Sequence, residues 1–450
     1  MPSLIGDSIV YGGAWTSGAL REVFEEIPRT RAWLEILAVL AETQAEVGLI
    51  PDEDAAAVAT TCRTIAVDGA FLDEVRAGYE ASGHSLVGLL DAVARRCPGE
   101  SGEWLCYGAT VQDITDTWLM TALRVARETI GRDLAAIDAR LADLARAHRD
   151  TPMAGRTHGQ VGLPITFGFK VAGWLAEMRR HRHRLDELAP RMEVGQLAGG
   201  VGSLSSLGPR ALEVQARFLG RLGLRSPDIS WTSSRDVLAE WCGWLTLVTG
   251  TADRIGHEVY NLQRPEIGEV AEAQIAGTIG SITMPHKRNP EIAEHLGTLA
   301  RVVRHNGAIV AEGLVGDHER DGRSWKAEWL AIPTATLAAG RAAELLVGLL
   351  DRLVVDPDRM RANLDAAGGA MASEAVMLAL APRIGRMTAH RVAHEAAETA
   401  AATGVPVRDA ILAAPAILAE LDRAQLEALL DGSETGWCAE MVDRVLGVVR

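Results

Sequence analysis

WLMTALRVARETIGRDLAAIDARLADL, residues 118–144, spaces Leu119, Leu123, Ala126, Ile130, Leu134, Ile137, Leu141 and Leu144 three or four residues apart. That period marks one face of an α-helix; strand side chains alternate every second residue. Holding the pattern takes a helix of roughly 25–30 residues, about 40 Å at ~1.5 Å per residue. Val237, Trp241, Leu245, Val248, Ala252, Ile255, Val259 and Leu262 repeat it, and related patterns cover about 165–187, 291–314 and 326–352. Alternating Val/Ile/Thr runs are nearly absent. The expectation is an all-α protein built on a bundle of long parallel rods. Rods of this kind carry apolar flanks, which predicts self-association.

The chain has 450 residues, enough for two or three domains or one elongated one. Hydrophobic residues make up 48% and charged residues 23%, a composition that excludes a disordered chain. With 45 basic and 60 acidic residues the net charge is −15, which argues against broad nucleic-acid binding. A small anionic substrate stays open, because a few local arginines override the global sign. There is no charge-free apolar run of about 18 residues, so no membrane span is expected. MPSLIGDSIVYGGAW at the start lacks the pattern of a signal peptide, and a cytoplasmic protein is expected. Cys62, Cys97, Cys106, Cys242 and Cys438 are scattered without a CxxC pair, and read as reduced thiols with no zinc site.

Pro and Gly interrupt the helical runs at 150–164, 197–210 and 273–290, and a polar turn lies at 316–324. Domain edges near 110 and 355 divide the chain into 1–110, 111–355 and 356–450. The Gly-x-Gly of GGVGSLSSLG (199–208) has no preceding strand and does not read as a dinucleotide turn. His390 and His394 lack the Glu that a zinc-protease pattern puts after the first His, and read as a solvated helix face. RRHRHR (179–184) reads as a solvated or subunit-pairing face. No cofactor and no metal is called for.

GSITMPHKRNP (280–290) differs from an ordinary loop. Ser281, Lys287 and Asn289 combine a hydroxyl, a cation and an amide, a set suited to a carboxylate or a developing oxyanion. Gly277 and Gly280 give the segment freedom to move. GATVQDITDT (108–117) adds Thr110, Gln112 and Asp113. GRTHGQ (155–160) adds Arg156, Thr157, His158 and Gln160, and HERDGRSW (318–325) adds Arg320, Arg323 and Ser324. Loops of this kind at rod ends, converging across an oligomer, make an anion site.

GSITMPHKRNP resembles the GSSxMPxKxN signature of the fumarase/aspartase superfamily. GATVQDITDT and GRTHGQ resemble two further segments in the branch of adenylosuccinate lyase and 3-carboxy-cis,cis-muconate cycloisomerase. So do FEEIPRTRAWLEILAVLAETQAEVGLIP (24–51), QLAGGVGSLSSLG, SWTSSRD, HERDGRSWKAEW and SEAVMLALAPRIGR, and the resemblance covers nearly the whole chain. It implies a three-domain helical subunit and a homotetramer with active sites shared between three subunits. The implied chemistry is cofactor-free β-elimination from a small dicarboxylate, usually releasing fumarate.

By that resemblance Ser281 is the base, while Lys287 and Asn289 hold the carboxylate and stabilise the intermediate. Thr110 and Gln112 match substrate-carboxylate contacts, and Arg320 matches a substrate-binding arginine. His158 matches the family's histidine and Glu294 its paired glutamate. His84, in SGHSLV, aligns with the general acid of adenylosuccinate lyases. Arg156, Thr157 and Met284 lie in the matched segments and complete the expected substrate contacts. Ile282 replaces the signature's second serine, and Thr232 stands where cycloisomerases of this branch tend to have His. The retained His158–Glu294 pair favours a fumarate-releasing lyase acting at a C–N bond, on a nitrosuccinate- or aspartate-like substrate. Trp325 and Trp329 point to a pocket less friendly to a nucleotide. Cycloisomerase, adenylosuccinate lyase and a catalytically silent scaffold are the competing readings.

Overall fold

A computed structural model describes residues 5–274, 281–367, 369–431 and 434–448. Gly277 and Gly280 lie outside the described residues. Helices dominate, as the apolar periodicity demands. Five are long: rod 1 (Val111–Ala147), rod 2 (Phe167–Met192), rod 3 (Asp236–Leu262), rod 4 (Glu291–Glu312) and rod 5 (Gly322–Asp351). Leu123, Ala126, Ile130, Leu134, Ile137 and Leu141 of rod 1 are wholly buried, as their spacing predicts. At the end of the stripe Ala145 is buried and Leu144 only partly so. A 3.6-residue turn drifts against the three-four alternation, and the step from Leu141 is four rather than three. On rod 3 Trp241, Leu245, Val248, Ala252, Ile255, Val259 and Leu262 are buried, but Leu238 takes the inward place expected of Val237.

The chain forms two compact units. The first comprises Met1–Leu134, His181–Ala252 and Leu296–Leu345; the second comprises Ala135–Arg180, Asp253–His295 and Leu346–Arg450. In the first, the helices Glu26–Glu46, Asp52–Thr64, Gly69–Ser82 and Val87–Ala94 pack ahead of rod 1. The helices Gly69–Ser82 and Val87–Ala94 cross at Gly78 and Gly88. A Cβ on Gly78 would stand 2.5 Å from the Gly88 Cα, so both positions exclude a side chain. His181, within the basic run of rod 2, is buried and shares a 2.9 Å hydrogen bond with Thr251. That part of the run is core rather than solvated face.

The second unit corrects a further expectation. Residues 150–164 are not simply a loop: β1 (Pro152–Thr157) and β2 (Gln160–Thr166) form an antiparallel hairpin. Thr157 pairs with Gln160, leaving His158 and Gly159 as a two-residue turn, both at positive φ (52° and 74°). Positive φ at both central residues is the requirement of a type I′ hairpin turn. A second small sheet pairs β3 (Val270–Glu272) with β4 (Leu353–Val355). Toward the C-terminus, Val376, Leu380, Ala389, Ile411, Ile417 and Leu426 form a separate apolar cluster among short helices.

The five cysteines are unpaired, as expected. Rod 5 is long and apolar enough to cross a membrane by length and composition, and more than half of its most apolar window is buried in the protein. Replacing the fully buried Leu134 with alanine removes a transfer contribution and leaves a cavity. Leu134→Ala is expected to cost about 2–5 kcal/mol in a chemical denaturation series.

Candidate active site

The first unit carries Thr110, Gln112, Arg320 and His84. Thr110 immediately precedes rod 1, where helix N–H groups lack intrahelical partners. Asp113, three residues on, reaches back so that its Oδ2 accepts the Thr110 N–H at 2.9 Å. This is the acidic half of a capping box, and it leaves the Thr110 hydroxyl for another donor. That donor is Arg320, whose Nη2 lies 3.0 Å from Thr110 Oγ1. The Arg320 Nε is buried without a partner, and so is Gln112 Oε1. Buried polar atoms are costly to leave unpaired, so a donor and an acceptor left open this way mark a place built for a ligand.

Asp113 does more than cap. Its carboxylate also accepts the backbone N–H groups of Ala198 (2.9 Å) and Gly199 (3.0 Å). The glycine-rich segment read above as no dinucleotide turn is thus pinned beside the start of rod 1. Burial pushes the Asp113 carboxyl up to about 6, against the pull of its three N–H donors. Gln112 Nε2 donates to Asp116 Oδ2 (3.1 Å) and to the Thr232 carbonyl (3.2 Å). Thr232, where a cycloisomerase tends to carry His, is buried and hydrogen-bonded by Gln196 at 2.7 Å.

Next to Gln112 stands an ion cluster that sequence reading missed. Arg235 contacts Asp116 at 2.7 and 3.1 Å and Glu328 at 2.5 and 2.9 Å. Their side chains are only 2–4% exposed. Burial raises the Glu328 carboxyl, while for Arg235 the two carboxylates outweigh desolvation and hold the guanidinium charged. No local motif announces the trio, because its members are more than 90 positions apart along the chain. His84 is exposed and directly follows Gly83, the left-handed cap of helix Gly69–Ser82.

The second unit carries the remaining expected residues. Thr157 and His158 are exposed at the hairpin tip. Both terminal nitrogens of Arg156 are committed to the buried Glu269, at 2.7 and 2.9 Å, and Asn363 donates to the same carboxylate at 2.8 Å. Arg156 therefore anchors the hairpin. Ser281 Oγ accepts the Met284 N–H at 3.1 Å. Met284, Lys287 and the substituted Ile282 (95% exposed) project from the same loop. The loop's far end is fastened. Asn289 Nδ2 lies 3.3 Å from Glu291, and Glu272 accepts the N–H groups of Ile292 and Ala293 at the start of rod 4. Glu294 is exposed in the first turn of that rod. The expected residues thus form two groups, one within each unit.

Among the described residues no group of three or more His, Cys, Asp or Glu is arranged to hold a metal. His390 and His394 stack at 6.2 Å on an exposed helix face, with His394 3.4 Å from Glu398.

Helical rods and a serine-bearing signature loop define a class of lyase, and sequence relationships agree. The family described as Lyase matches residues 15–304, and Adenylosuccinate lyase C-terminus matches 369–445. The chain belongs to this lyase family, within the fumarase/aspartase superfamily. It is 37% identical to N-acetyl-S-(2-succino)cysteine lyase of Enterococcus italicus, over 99% of this chain and 97% of that protein. It is 36% identical to 3-carboxy-cis,cis-muconate cycloisomerase of Pseudomonas aeruginosa, over 97% of this chain and 95% of that protein. A crystal structure of fumarate lyase from Mesorhizobium sp. BNC1 superposes with a TM-score of 0.88 at 35% identity, covering 96% of this chain and 98% of that one.

Asp113→Asn places an amide NH2 against backbone donors. It is expected to lower stability by about 1–3 kcal/mol. The folded carboxyl titrates near 6 and the unfolded one near 3.8, so ionisation of Asp113 opposes folding. The stability difference between wild type and variant is therefore largest below about pH 4 and shrinks as pH rises through 6, which denaturation at several pH values will show.

Proposed function

We propose that this lyase removes a heteroatom substituent from a 2-substituted succinate by cofactor-free β-elimination, releasing fumarate, and that the substituent is a thiolate. The observation that carries the elimination is the setting of Ser281. Its oxygen accepts a backbone N–H from Met284, which stabilises negative charge on that oxygen and leaves its own proton to be lost. Ser281 takes the proton from the carbon next to one carboxylate. Lys287 and Asn289 stabilise the resulting aci-carboxylate. Thr110 and Arg320 hold the other carboxylate through the open Arg320 Nε, and Gln112, whose amide protons go to Asp116 and the Thr232 carbonyl, fixes the start of rod 1 beside them. His158, Glu294 and His84 serve proton transfer and carboxylate orientation, with Thr157 and Met284 lining the substrate.

The thiolate is supported by the full-length relative named for a succinylated cysteine. Leaving-group chemistry is compatible with it: a thiol of pKa ~8.5 departs as its anion with little protonation, whereas an amine needs an acid. A C–N substrate such as nitrosuccinate or an aspartate derivative is the second reading, favoured by the match to the adenylosuccinate lyase C-terminus. In either reading we take the working form to be a homotetramer that assembles each site from three subunits, as the resemblance to the superfamily implies.

Mass spectrometry of fumarate released from S-(2-succino)cysteine, nitrosuccinate, aspartate and adenylosuccinate, with carboxymuconate followed for lactone, tests the reading. Ser281→Ala is expected to reduce kcat by about 10²–10⁴ without altering the oligomer seen in light scattering. Lys287→Met is expected to lower kcat by about 10²–10³. Substantial turnover by the Ser281 variant removes it from the role of base.

A further inference from the structure

Within the first unit lies a cavity of about 520 Å³, in the size range of small-molecule sites. Its walls are aromatic. Trp33 meets Trp118 edge-to-face at 5.7 Å, and Trp325 meets Trp329 edge-to-face at 4.7 Å. Leucines 72, 86 and 89 complete the apolar surface. Thr110, Gln112, Arg320 and His84 do not themselves line it, but residues close to each of them along the chain do. Thr115 and Asp116 follow Thr110 and Gln112 along rod 1, Trp325 and Trp329 follow Arg320 into rod 5, and Ser85 adjoins His84.

The polar atoms of the wall define what fits. Trp33 Nε1, Arg29 Nε and Ser85 Oγ are buried without a partner. Two of these atoms are obligate donors and the third donates freely, so the missing partner is an acceptor. The charges argue against an anion. Arg29 is paired with Glu26 at 2.7 Å and Arg76 with Asp73 at 3.0 Å. Arg235 is shared between Asp116 and Glu328, which both face the cavity. Carboxylates outnumber guanidinium groups around the space. A phosphate or a further carboxylate gains no free cation there and meets that excess in a partly desolvated setting.

We propose that this cavity receives the leaving-group half of the substrate, and that this half is uncharged and largely apolar, with a carbonyl or ether oxygen that accepts from Trp33 and Arg29. The proposal rests on the elimination reading for its link to the reaction. It makes the preferred substrate a succinyl adduct of a neutral, aromatic or bulky thiol in place of a free amino acid or a nucleotide.

The test titrates the full-length protein with N-benzylacetamide, a neutral ring bearing one carbonyl, and with phenylacetate as the charged control, following tryptophan fluorescence and heat. The amide is expected to bind at least about tenfold more tightly than phenylacetate, a difference of about 1.4 kcal/mol. Trp33→Phe keeps the ring but removes the N–H, and is expected to weaken the amide about 3–10-fold. A kinetic arm compares 2-(benzylthio)succinate with S-(2-succino)cysteine. The benzyl adduct is expected to lead in kcat/KM by about tenfold, and Trp329→Ala to erase most of that lead through KM.

Phenylacetate binding as tightly as the amide, or an amide affinity unchanged by Trp33→Phe, overturns the ligand class. Equal kcat/KM for both thioethers, with fumarate released from each, overturns the cavity's part in the reaction while the elimination stands. If neither thioether nor a C–N substrate releases fumarate, the elimination reading falls, and with it the leaving-group assignment. The titration alone then judges the ligand class.

Discussion

Arg235 between Asp116 and Glu328 is the contact on which the first unit's architecture turns. It joins rod 1, the segment leading into rod 3, and rod 5 at one point almost closed to water. A buried ion cluster of this kind adds little net stability, because desolvation offsets the Coulomb attraction. Its value is geometric. The guanidinium fork accepts two carboxylates only in one arrangement, and an apolar interface of leucines and alanines would tolerate sliding of one rod past another. Removing the arginine alone would leave two carboxylates buried side by side, so the three residues stand or fall together.

That geometry is transmitted to the cluster around Thr110 and Arg320. Asp116 also accepts from Gln112, Gln112 reaches the Thr232 carbonyl, and Asp113 ties the start of rod 1 to the Ala198–Gly199 backbone. Thr110 and Arg320 are thereby held in contact by elements whose own hydrogen bonds are satisfied. Two atoms there stay without a partner, the donor Arg320 Nε and the acceptor Gln112 Oε1. On the proposed reading the Arg320 donor meets a carboxylate, while the Gln112 oxygen suits a donor group instead.

The rods were legible because their period depends only on local spacing: Leu123 to Leu141 could be assigned to the core from the chain alone. Ser281, Lys287 and Asn289 stood out because their chemistry is concentrated within one short segment. Arg235, Asp116, Glu328 and Glu269 did not, because a buried charge is explained only by a partner distant in sequence. The hairpin is only half visible in the sequence. His158–Gly159 is a two-residue turn of the kind that permits positive φ, but Pro152, Gly155, Gly162 and Pro164 hide the strand pattern on either side. Arg156 shows the opposite hazard. Its place beside His158 suggested a substrate contact, and the fold spends both its terminal nitrogens on Glu269.

The placement of His158 follows from that last point. A non-glycine residue at positive φ carries strain, and strain persists only where the surroundings over-determine the backbone. Here the surroundings are identifiable: strand pairing on both sides of the turn, Gly159 at the adjoining positive-φ position, and the Arg156–Glu269–Asn363 anchor at its base. The imidazole is therefore presented on a stiff two-residue tip. Ser281 sits on a longer loop, fastened through Glu272 and Glu291 at its rod 4 end. The two candidate groups are thus held differently: the imidazole on a two-residue turn between paired strands, the Ser281 hydroxyl on a longer segment tied at its rod 4 end.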